Sequence, residues 1–223
     1  MQREIKIDKI VRSRRRTIAL IITKDAALEV RAPRLMPLRF IWNFIERKQN
    51  WILRKQEFMR NNLLAHAPKM FLDGEEFWYL GTMYPLKIIN SSKIILSENL
   101  QFPSALLNDA NKHLTAWYKK EARAIITERI VYYADLVKLK YKTIKITSAK
   151  TRWGSCSARG GLNFTWRLVM APLAVVDYVV VHELVHLVER NHSQRFWQKV
   201  ANIMPDYQAR RRWLKQNGNK MGF

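Results

Sequence analysis

The spacing of hydrophobic residues changes between two periods along the chain. Within residues 5–30, apolar residues alternate with polar ones or form short β-branched runs, which predicts two or three strands. From residue 37 to about 64 the apolar positions recur with helical spacing, and Pro37 suits the first turn of a helix. Strand-like patterns return within residues 71–96. The first hundred residues are therefore predicted to be rich in strands, with one long helix.

Helical spacing dominates the second half of the chain. A long helix is predicted from residue 104 to about 138, with Ser104 as its N-cap. Further strands are predicted at 143–147 and 161–166, and further helices at 172–190, 193–203 and 207–216. Because strand clusters and helices are segregated, the pattern predicts an α+β fold. We expect a strand-rich N-terminal portion at 1–98 and a second domain at 99–223.

Composition narrows the class of protein. With 48% hydrophobic residues, the chain of 223 residues can bury a substantial core and is not a disordered protein. Its single cysteine, Cys156, excludes a disulfide framework and a four-cysteine zinc site. The longest apolar stretch, 168–185, is interrupted by polar residues, and the first residues lack the apolar region of a signal peptide. The sequence therefore predicts a soluble, cytoplasmic protein.

Charge indicates what kind of partner the protein attracts. Forty Lys and Arg against eighteen Asp and Glu give a net charge of +22, and the densest basic runs are 12–16 and 210–212. Such a field attracts polyanions, so we expect a nucleic acid, a nucleotide or an acidic protein as partner, and no membrane. General surface basicity explains the same charge without any partner. The sequence carries no helix-turn-helix, zinc-finger or RNA-binding signature.

The stretch that carries chemistry lies in the predicted helix at 172–190. It contains His182-Glu183-Leu184-Val185-His186, and His192 follows. On a helix, His182 and His186 are one turn apart, so both imidazoles project from one face and can bind one Zn²⁺. Glu183 then lies beside the metal, where it can accept a proton from metal-bound water. We predict one zinc ion per chain, with Glu183 as the general base.

His192 is predicted to be the third metal ligand. A straight helix would carry it away from the metal, so the chain must turn sharply after His186. Asn191, which tolerates the left-handed conformation, is the expected terminator. Three imidazoles would leave a fourth position open for water or substrate. The alternative is a buried helix whose histidines are satisfied by neighbouring groups.

These residues belong to a longer pattern that resembles a known family. It runs through Thr151-Arg152-Trp153-Gly154-Ser155-Cys156-Ser157, Leu162-Asn163, Asp177-Tyr178-Val179-Val180-Val181-His182-Glu183-Leu184-Val185-His186, Asn191-His192-Ser193, Phe196-Trp197, Pro205-Asp206-Tyr207 and Trp213-Leu214. Over at least residues 148–215 the chain resembles the YgjP-like metallopeptidase family, which is related to SprT-like proteases and the wider zincin group. The resemblance implies a zincin-like metallohydrolase domain. It also implies zinc held by His182, His186 and His192, with Glu183 as the general base.

Other residues near this pattern are candidates for binding substrate or metal. Arg152 could bind a carboxylate or phosphate, or belong to a structural hairpin. Asn163 could hydrogen-bond substrate or end a strand, and Tyr207 could stabilise an oxyanion or simply pack. Met204 could form a floor under the metal, as in metzincins, which share the spacing of the three histidines, or be a core residue. Cys156 could approach the metal or be a small buried residue.

A metal-activated water can attack two kinds of electrophile. In the leading hypothesis the electrophile is a peptide carbonyl, and the positive charge suits proteolysis of nucleic-acid-associated protein. In the alternative, a nucleoside triphosphate such as UTP is split into monophosphate and pyrophosphate, although the sequence has no Gly-rich phosphate loop or Mg²⁺-binding carboxylate cluster. A zinc-containing nucleic-acid-binding protein without catalysis leaves Glu183 unexplained. A cleft beside an exposed strand edge favours the peptidase, and a closed pocket with converging Arg or Lys favours the nucleotide hydrolase.

Overall fold

Strands and helices are both prominent in the chain, which confirms the predicted α+β class. The computed structural model describes residues 5–23, 25–65 and 69–222. They divide into two compact units, with the division between residues 67 and 68. None of the described helices combines the length and the apolar character that a bilayer crossing requires.

The first unit is a three-stranded sheet followed by two helices. Its elements are β1 (Lys9–Ser13), β2 (Ala19–Ile22), β3 (Leu28–Pro33), α1 (Leu38–Arg47) and α2 (Gln49–Ala65). The sheet has the order β1-β3-β2, with β1 parallel and β2 antiparallel to the central strand. Val30 and Ala32 of β3 are fully buried in one core with Ile41 of α1. The single helix predicted here is interrupted at Lys48, where φ of −105° and ψ of 7° leave the helical range.

The second unit begins with a four-stranded sheet. Its strands are β4 (Glu76–Tyr79), β5 (Thr82–Ile89), β6 (Ile95–Leu96) and β7 (Leu100–Pro103), in the order β4-β5-β7-β6. The boundary expected near residue 98 falls between β6 and β7, which pair with each other. The division of the chain comes earlier because Phe77 of β4 and Phe102 of β7 belong to the same core as the helix that follows.

That helix, α3 (Ala110–Leu136), is the longest element of the chain. Its buried row recurs every four residues and consists of Ala110, Leu114, Tyr118, Ala122, Ile126 and Ile130. The predicted N-cap, Ser104, instead opens a 3₁₀ turn (Ser104–Asp109), so α3 begins six residues later than its polar-apolar pattern indicated.

A small sheet and three helices complete the second unit. The strands are β8 (Thr143–Thr147), β9 (Gly154–Cys156) and β10 (Gly161–Thr165), and the helices are α4 (Leu173–Val185), α5 (Gln194–Ile203) and α6 (Tyr207–Asn217). β10 pairs with β8 on one side and β9 on the other, which leaves β9 at an edge of the sheet. α4 contacts α3, α5, α6 and β9. The helix that carries the histidine motif is therefore held on several sides.

Candidate metal centre

The histidine motif lies at the end of a helix that is buried on almost every face. Residues 175–181 of α4 are buried and mostly β-branched, a composition that favours a strand. They form a helix because α3, α5 and α6 pack around them and bury every face. The buried Asp177 is held by Arg129 of α3, with Nε and Nη2 of the arginine 2.6 Å and 3.1 Å from the two carboxylate oxygens. This pair joins α4 to α3 ahead of His182.

Three imidazoles converge where α4 ends. Nε2 of His192 lies 3.0 Å from Nε2 of His182 and 3.2 Å from Nε2 of His186. A tetrahedral metal with bonds of about 2.0–2.1 Å to nitrogen holds its ligand atoms about 3.3 Å apart, which is close to these two distances, and ligand atoms of the three histidines all lie within 4.8 Å of one another. The structure thus brings together the three histidines that the sequence singled out.

The protonation states of these imidazoles suit metal binding. Burial, followed by smaller contributions from His186, His192 and the cation of Arg211, lowers the pKa of His182 to about 3. The pKa of His192 is also lowered, by burial and by the same neighbouring charges. Nδ1 of His186 lies 2.9 Å from the carbonyl oxygen of Glu189, which accepts a hydrogen bond when Nδ1 carries the proton. Nε2 of that ring then offers its lone pair to a metal.

A tight turn after α4 returns His192 to the site. The helix ends at Val185, before the predicted end near residue 190. Beyond it, the backbone N–H groups of Leu187 and Val188 donate to carbonyls three residues back, as in a 3₁₀ turn. Asn191 therefore does not end the helix, contrary to the expectation from sequence. Its side-chain oxygen accepts a hydrogen bond from the Ser193 backbone N–H, at 3.2 Å, and shapes the turn that leads into α5.

Phe196 forms an apolar floor beneath the imidazoles. It is fully buried on α5, and its ring centroid lies 4.8 Å from that of His182, 4.5 Å from His186 and 4.8 Å from His192. Met204, the residue considered for this place, is buried in the core as the cap of α5. The floor is thus an aromatic ring from the first turn of α5, the helix that follows His192.

An aromatic column supports the outer side of His192. Trp197 stacks on His192 with ring centroids 5.6 Å apart, and Tyr207 stacks on Trp197 with centroids 5.4 Å apart. The guanidinium of Arg211 lies 4.6 Å from the centre of the Trp197 ring. The ring of Tyr207 is therefore engaged in packing, and the residue does not line the cavity at the histidines.

Glu183 projects from α4 into the same cavity, which has a volume of about 380 Å³. Its residue exposure is 5%, and its Oε2 has no hydrogen-bond partner among the described residues. Burial raises the pKa of Glu183 to about 8, while the positive charge of Arg152 acts in the opposite direction. The carboxyl group of Glu183 therefore lies in the wall of the cavity that the three histidines also line.

The strand β9 forms the opposite wall of this cavity. Gly154, Ser155 and Cys156 all line it. Thr165 N–H donates to the carbonyl of Trp153, and Ser157 N–H donates to the carbonyl of Gly161. The odd-numbered residues along β9 therefore direct their backbone N–H and C=O groups towards β10. In an antiparallel ladder the even-numbered residues then direct their N–H and C=O groups away from β10. The free edge of β9 thus offers the backbone of Gly154 and Cys156.

The remaining candidates from the sequence lie around the cavity. Asn163 donates from Nδ2 to the carbonyl and hydroxyl of Ser155, at 3.4 and 3.3 Å, and so braces the sheet. Arg152 is exposed and acts on Glu183 by its charge without lining the cavity. Cys156 lines the cavity, and burial followed by the charge of Glu183 raises the pKa of its thiol. Arg190, which no motif marked, also lines it.

Comparison with known proteins places this site in a family. The sequence matches the YgjP-like family, described as a metallopeptidase domain, over residues 16–217. Among solved structures, the chain is similar to the metallopeptidase zymogen of Pyrococcus abyssi abylysin, with 18% identity, a TM-score of 0.38, and coverage of 41% of this chain and 93% of that one. Comparison with curated proteins gives no match. Because the family match spans most of the chain, the protein belongs to the YgjP-like family and contains its metallopeptidase domain.

Proposed function

We propose that the chain is a zinc-dependent peptidase that binds one zinc ion at His182, His186 and His192. The observation that carries the proposal is the convergence of these three imidazoles beside the buried carboxylate of Glu183. A donor set of nitrogens without carboxylates suits zinc better than Mg²⁺ or Ca²⁺. A zinc ion bound by these residues would act as a Lewis acid, lowering the pKa of a bound water towards about 7 and polarising a carbonyl.

Glu183 moves the protons of the reaction. Its side chain lines the cavity that the three histidines also line, so one of its carboxylate oxygens can take a proton from the attacking water. The same oxygen then donates this proton to the nitrogen of the departing amine as the peptide bond breaks. General acid–base catalysis of this kind contributes about 10²- to 10⁴-fold to the rate.

The free edge of β9 holds the substrate backbone. The outward N–H and C=O groups of Gly154 and Cys156 can pair with an extended peptide, which would then lie along the wall opposite Glu183. A strand edge beside the reactive groups favours a peptide substrate. Among the described residues, Arg190 is the one cationic side chain that lines the cavity. The described cavity wall therefore lacks the several converging Arg and Lys side chains that binding of a nucleoside triphosphate would require.

The charge of the protein directs it towards substrates that carry or accompany polyanions. A net charge of +22 favours encounter with acidic proteins or with proteins bound to nucleic acid. We therefore propose nucleic-acid-associated proteins as the substrate class. Splitting of a nucleoside triphosphate such as UTP remains the competing reaction, because the same activated water could attack a phosphoryl group.

A paired assay on zinc-loaded protein separates these reactions. Wild type and Glu183→Gln are incubated with a labelled unfolded protein and, separately, with nucleoside triphosphates while pyrophosphate is measured. We expect wild type to cleave the protein, and Glu183→Gln to be slower by about 10²-fold or more with unchanged zinc content. Glu189→Gln makes the same chemical change within the turn and is expected to stay active, because only its backbone carbonyl contacts His186.

Two outcomes would contradict the proposal. Pyrophosphate release by wild type, lost in Glu183→Gln and without protein cleavage, would make the chain a nucleotide pyrophosphohydrolase. Zinc binding with no turnover of either substrate class would make it a zinc-containing binding protein.

A further inference from the structure

Helix α2 of the first unit presents two aromatic side chains, with two cationic side chains between them, to solvent. Trp51, Arg54, Lys55 and Phe58 follow one another at intervals of three, one and three residues, so they lie on one helix face. Trp51 is 47% exposed and Phe58 is 37% exposed. The ammonium group of Lys55 lies 4.7 Å from the centre of the Phe58 ring. We call these four residues the α2 row.

The opposite face of α2 fixes the direction of the α2 row. Ile52 is fully buried in the core of the first unit, and Met59 packs against that core. The amide of Gln56 is buried and donates a 3.0 Å hydrogen bond to the carbonyl of Ala26. Because core contacts hold one face of the helix, the α2 row faces outward without contributing to the core.

Positive charge surrounds the α2 row without compensating ion pairs. Between residues 38 and 60 the cations are Arg39, Arg47, Lys48, Arg54, Lys55 and Arg60, and the anions are Glu46 and Glu57. Within the described part of the chain, none of these cations has a carboxylate partner within 4 Å. Trp42 of α1 is also 42% exposed. The helices thus combine exposed aromatic rings with unneutralised cations.

We infer that the first unit binds single-stranded nucleic acid through the α2 row. Exposed aromatic rings stack unpaired bases of any sequence, and neighbouring cations bind the phosphates between them. Trp51 and Phe58 are about 10 Å apart along the helix axis, and the two cations lie between them. Duplex DNA hides the base faces that such rings require, so the aromatic members of the row select single strands.

The arrangement fits other occupants less well. A helix lying on an anionic membrane needs a continuous apolar face with cations at its flanks, whereas the cations here lie within the row and the apolar face is buried in the core. A second copy of the chain would bring two positive surfaces together. The inference concerns the first unit and does not depend on the proposed peptidase activity, whose residues all lie beyond residue 150.

Fluorescence anisotropy with full-length protein tests the inference. The probes are an oligothymidine of about twenty nucleotides and a duplex of equal length, each measured over a series of salt concentrations. Replacing both aromatic residues (Trp51→Ala with Phe58→Ala) is expected to weaken binding of the single strand about tenfold or more while leaving duplex binding nearly unchanged. Replacing both cations (Arg54→Gln with Lys55→Gln) is expected to lower the slope of log K against log salt by about 1.4, from two lost phosphate contacts.

Matched controls make every outcome decisive. Lys140→Gln with Lys142→Gln removes two exposed charges from the second unit and is expected to leave the affinity for the single strand within about twofold. Glu183→Gln is expected to bind the oligothymidine as wild type does, which separates this inference from the proposed function. Equal affinity for both probes that is insensitive to the aromatic substitutions would reduce the binding to general charge attraction and overturn the inference. Absence of oligothymidine binding, or a preference for anionic lipid vesicles over it, would also overturn it.

Discussion

At the scale of single residues, Gly154 and Glu183 lie so close together that no side chain fits at residue 154. A Cβ atom at residue 154 would lie 2.6 Å from Oε1 of Glu183 and 2.7 Å from its Cγ, whereas real Cβ atoms do not approach other heavy atoms below about 3.0 Å. The φ angle of Gly154 lies outside the left-handed region, so its backbone alone does not require glycine. Glycine is needed there because the Glu183 side chain occupies the place that a Cβ atom at residue 154 would take.

Gly154→Ala should therefore slow catalysis without removing the metal. The added methyl group forces Glu183 away from its place beside the imidazoles, and a displacement of about 1 Å costs on the order of 10²-fold in rate. We expect kcat to fall by about 10- to 100-fold while zinc content, measured by atomic absorption, stays at the level of wild type. Gly218→Ala, whose methyl group would meet Trp153 at 2.7 Å, reports what crowding alone does to thermal stability. Full activity of Gly154→Ala would show that Glu183 is not held by this contact.

The spacing of residues predicted which histidines come together but not the residues that support them. His182, Glu183 and His186 could be placed from sequence because helix geometry alone brings them to one side. Phe196 and Arg190 reach the site through the turn after α4 and the packing of α5, which no local pattern encodes. The assignment of Tyr207 to substrate remains a prediction, although its ring stacks on Trp197.

At the scale of elements, α4 depends on its attachment to α3. The ion pair between Asp177 and Arg129 is the charged contact between these helices, and the two side chains are only 9% and 20% exposed. The pKa of Arg129 is raised chiefly by its hydrogen bond to Asp177. Removing one partner leaves the other in a buried place without compensation, which costs more than removing both.

Arg129→Met should thus destabilise the second unit more than its combination with Asp177→Asn does. We expect the single substitution to lower the free energy of unfolding by about 2–3 kcal/mol. This is at or below the lower end of the loss that is usual when one partner of a fully buried ion pair is removed, because Arg129 is partly exposed. The double variant should recover part of this loss, which denaturant unfolding can measure. Lys138→Met removes an ion pair with Asp135 in which both side chains are 80% exposed, and should change stability by less than about 0.5 kcal/mol. A double variant no more stable than Arg129→Met would contradict the pairing argument.

Elements with strong periodic patterns were predictable, and short ones were not. The strands at 143–147 and 161–165 and the long helix ending near residue 136 follow the predicted pattern closely. β9 has three residues, too few for an alternating pattern, and its place at the sheet edge comes from pairing with β10. The end of α4 at Val185 came earlier than predicted because the next residues form hydrogen bonds to carbonyls three residues back, in the turn that leads to His192.

At the scale of the whole molecule, the chain consists of two units that each bury their own core. Residues of the first unit form one cluster of buried side chains, and the three histidines belong to the second unit. The hydrophobic pattern predicted the helices and strands on either side of the division between the units, but not the position of the division. A pattern identifies the buried face of an element without showing which other element covers that face. The first unit carries much of the positive charge, with fifteen Lys and Arg against five Asp and Glu in residues 5–60.

Removal of the metal should consequently destabilise one unit and spare the other. A ligand at 100 times its dissociation constant stabilises the folded state by about 2.7 kcal/mol, and for a unit of this size each kcal/mol shifts the midpoint by about 2–4 °C. We expect calorimetry of zinc-loaded protein to show that a chelator lowers one unfolding transition by about 5–10 °C and leaves the other in place. His192→Ala should lack most of this response, because it removes a ligand without touching the first unit. Equal shifts of both transitions would contradict the assignment of the metal to the second unit alone, and no shift would contradict metal binding at the three histidines.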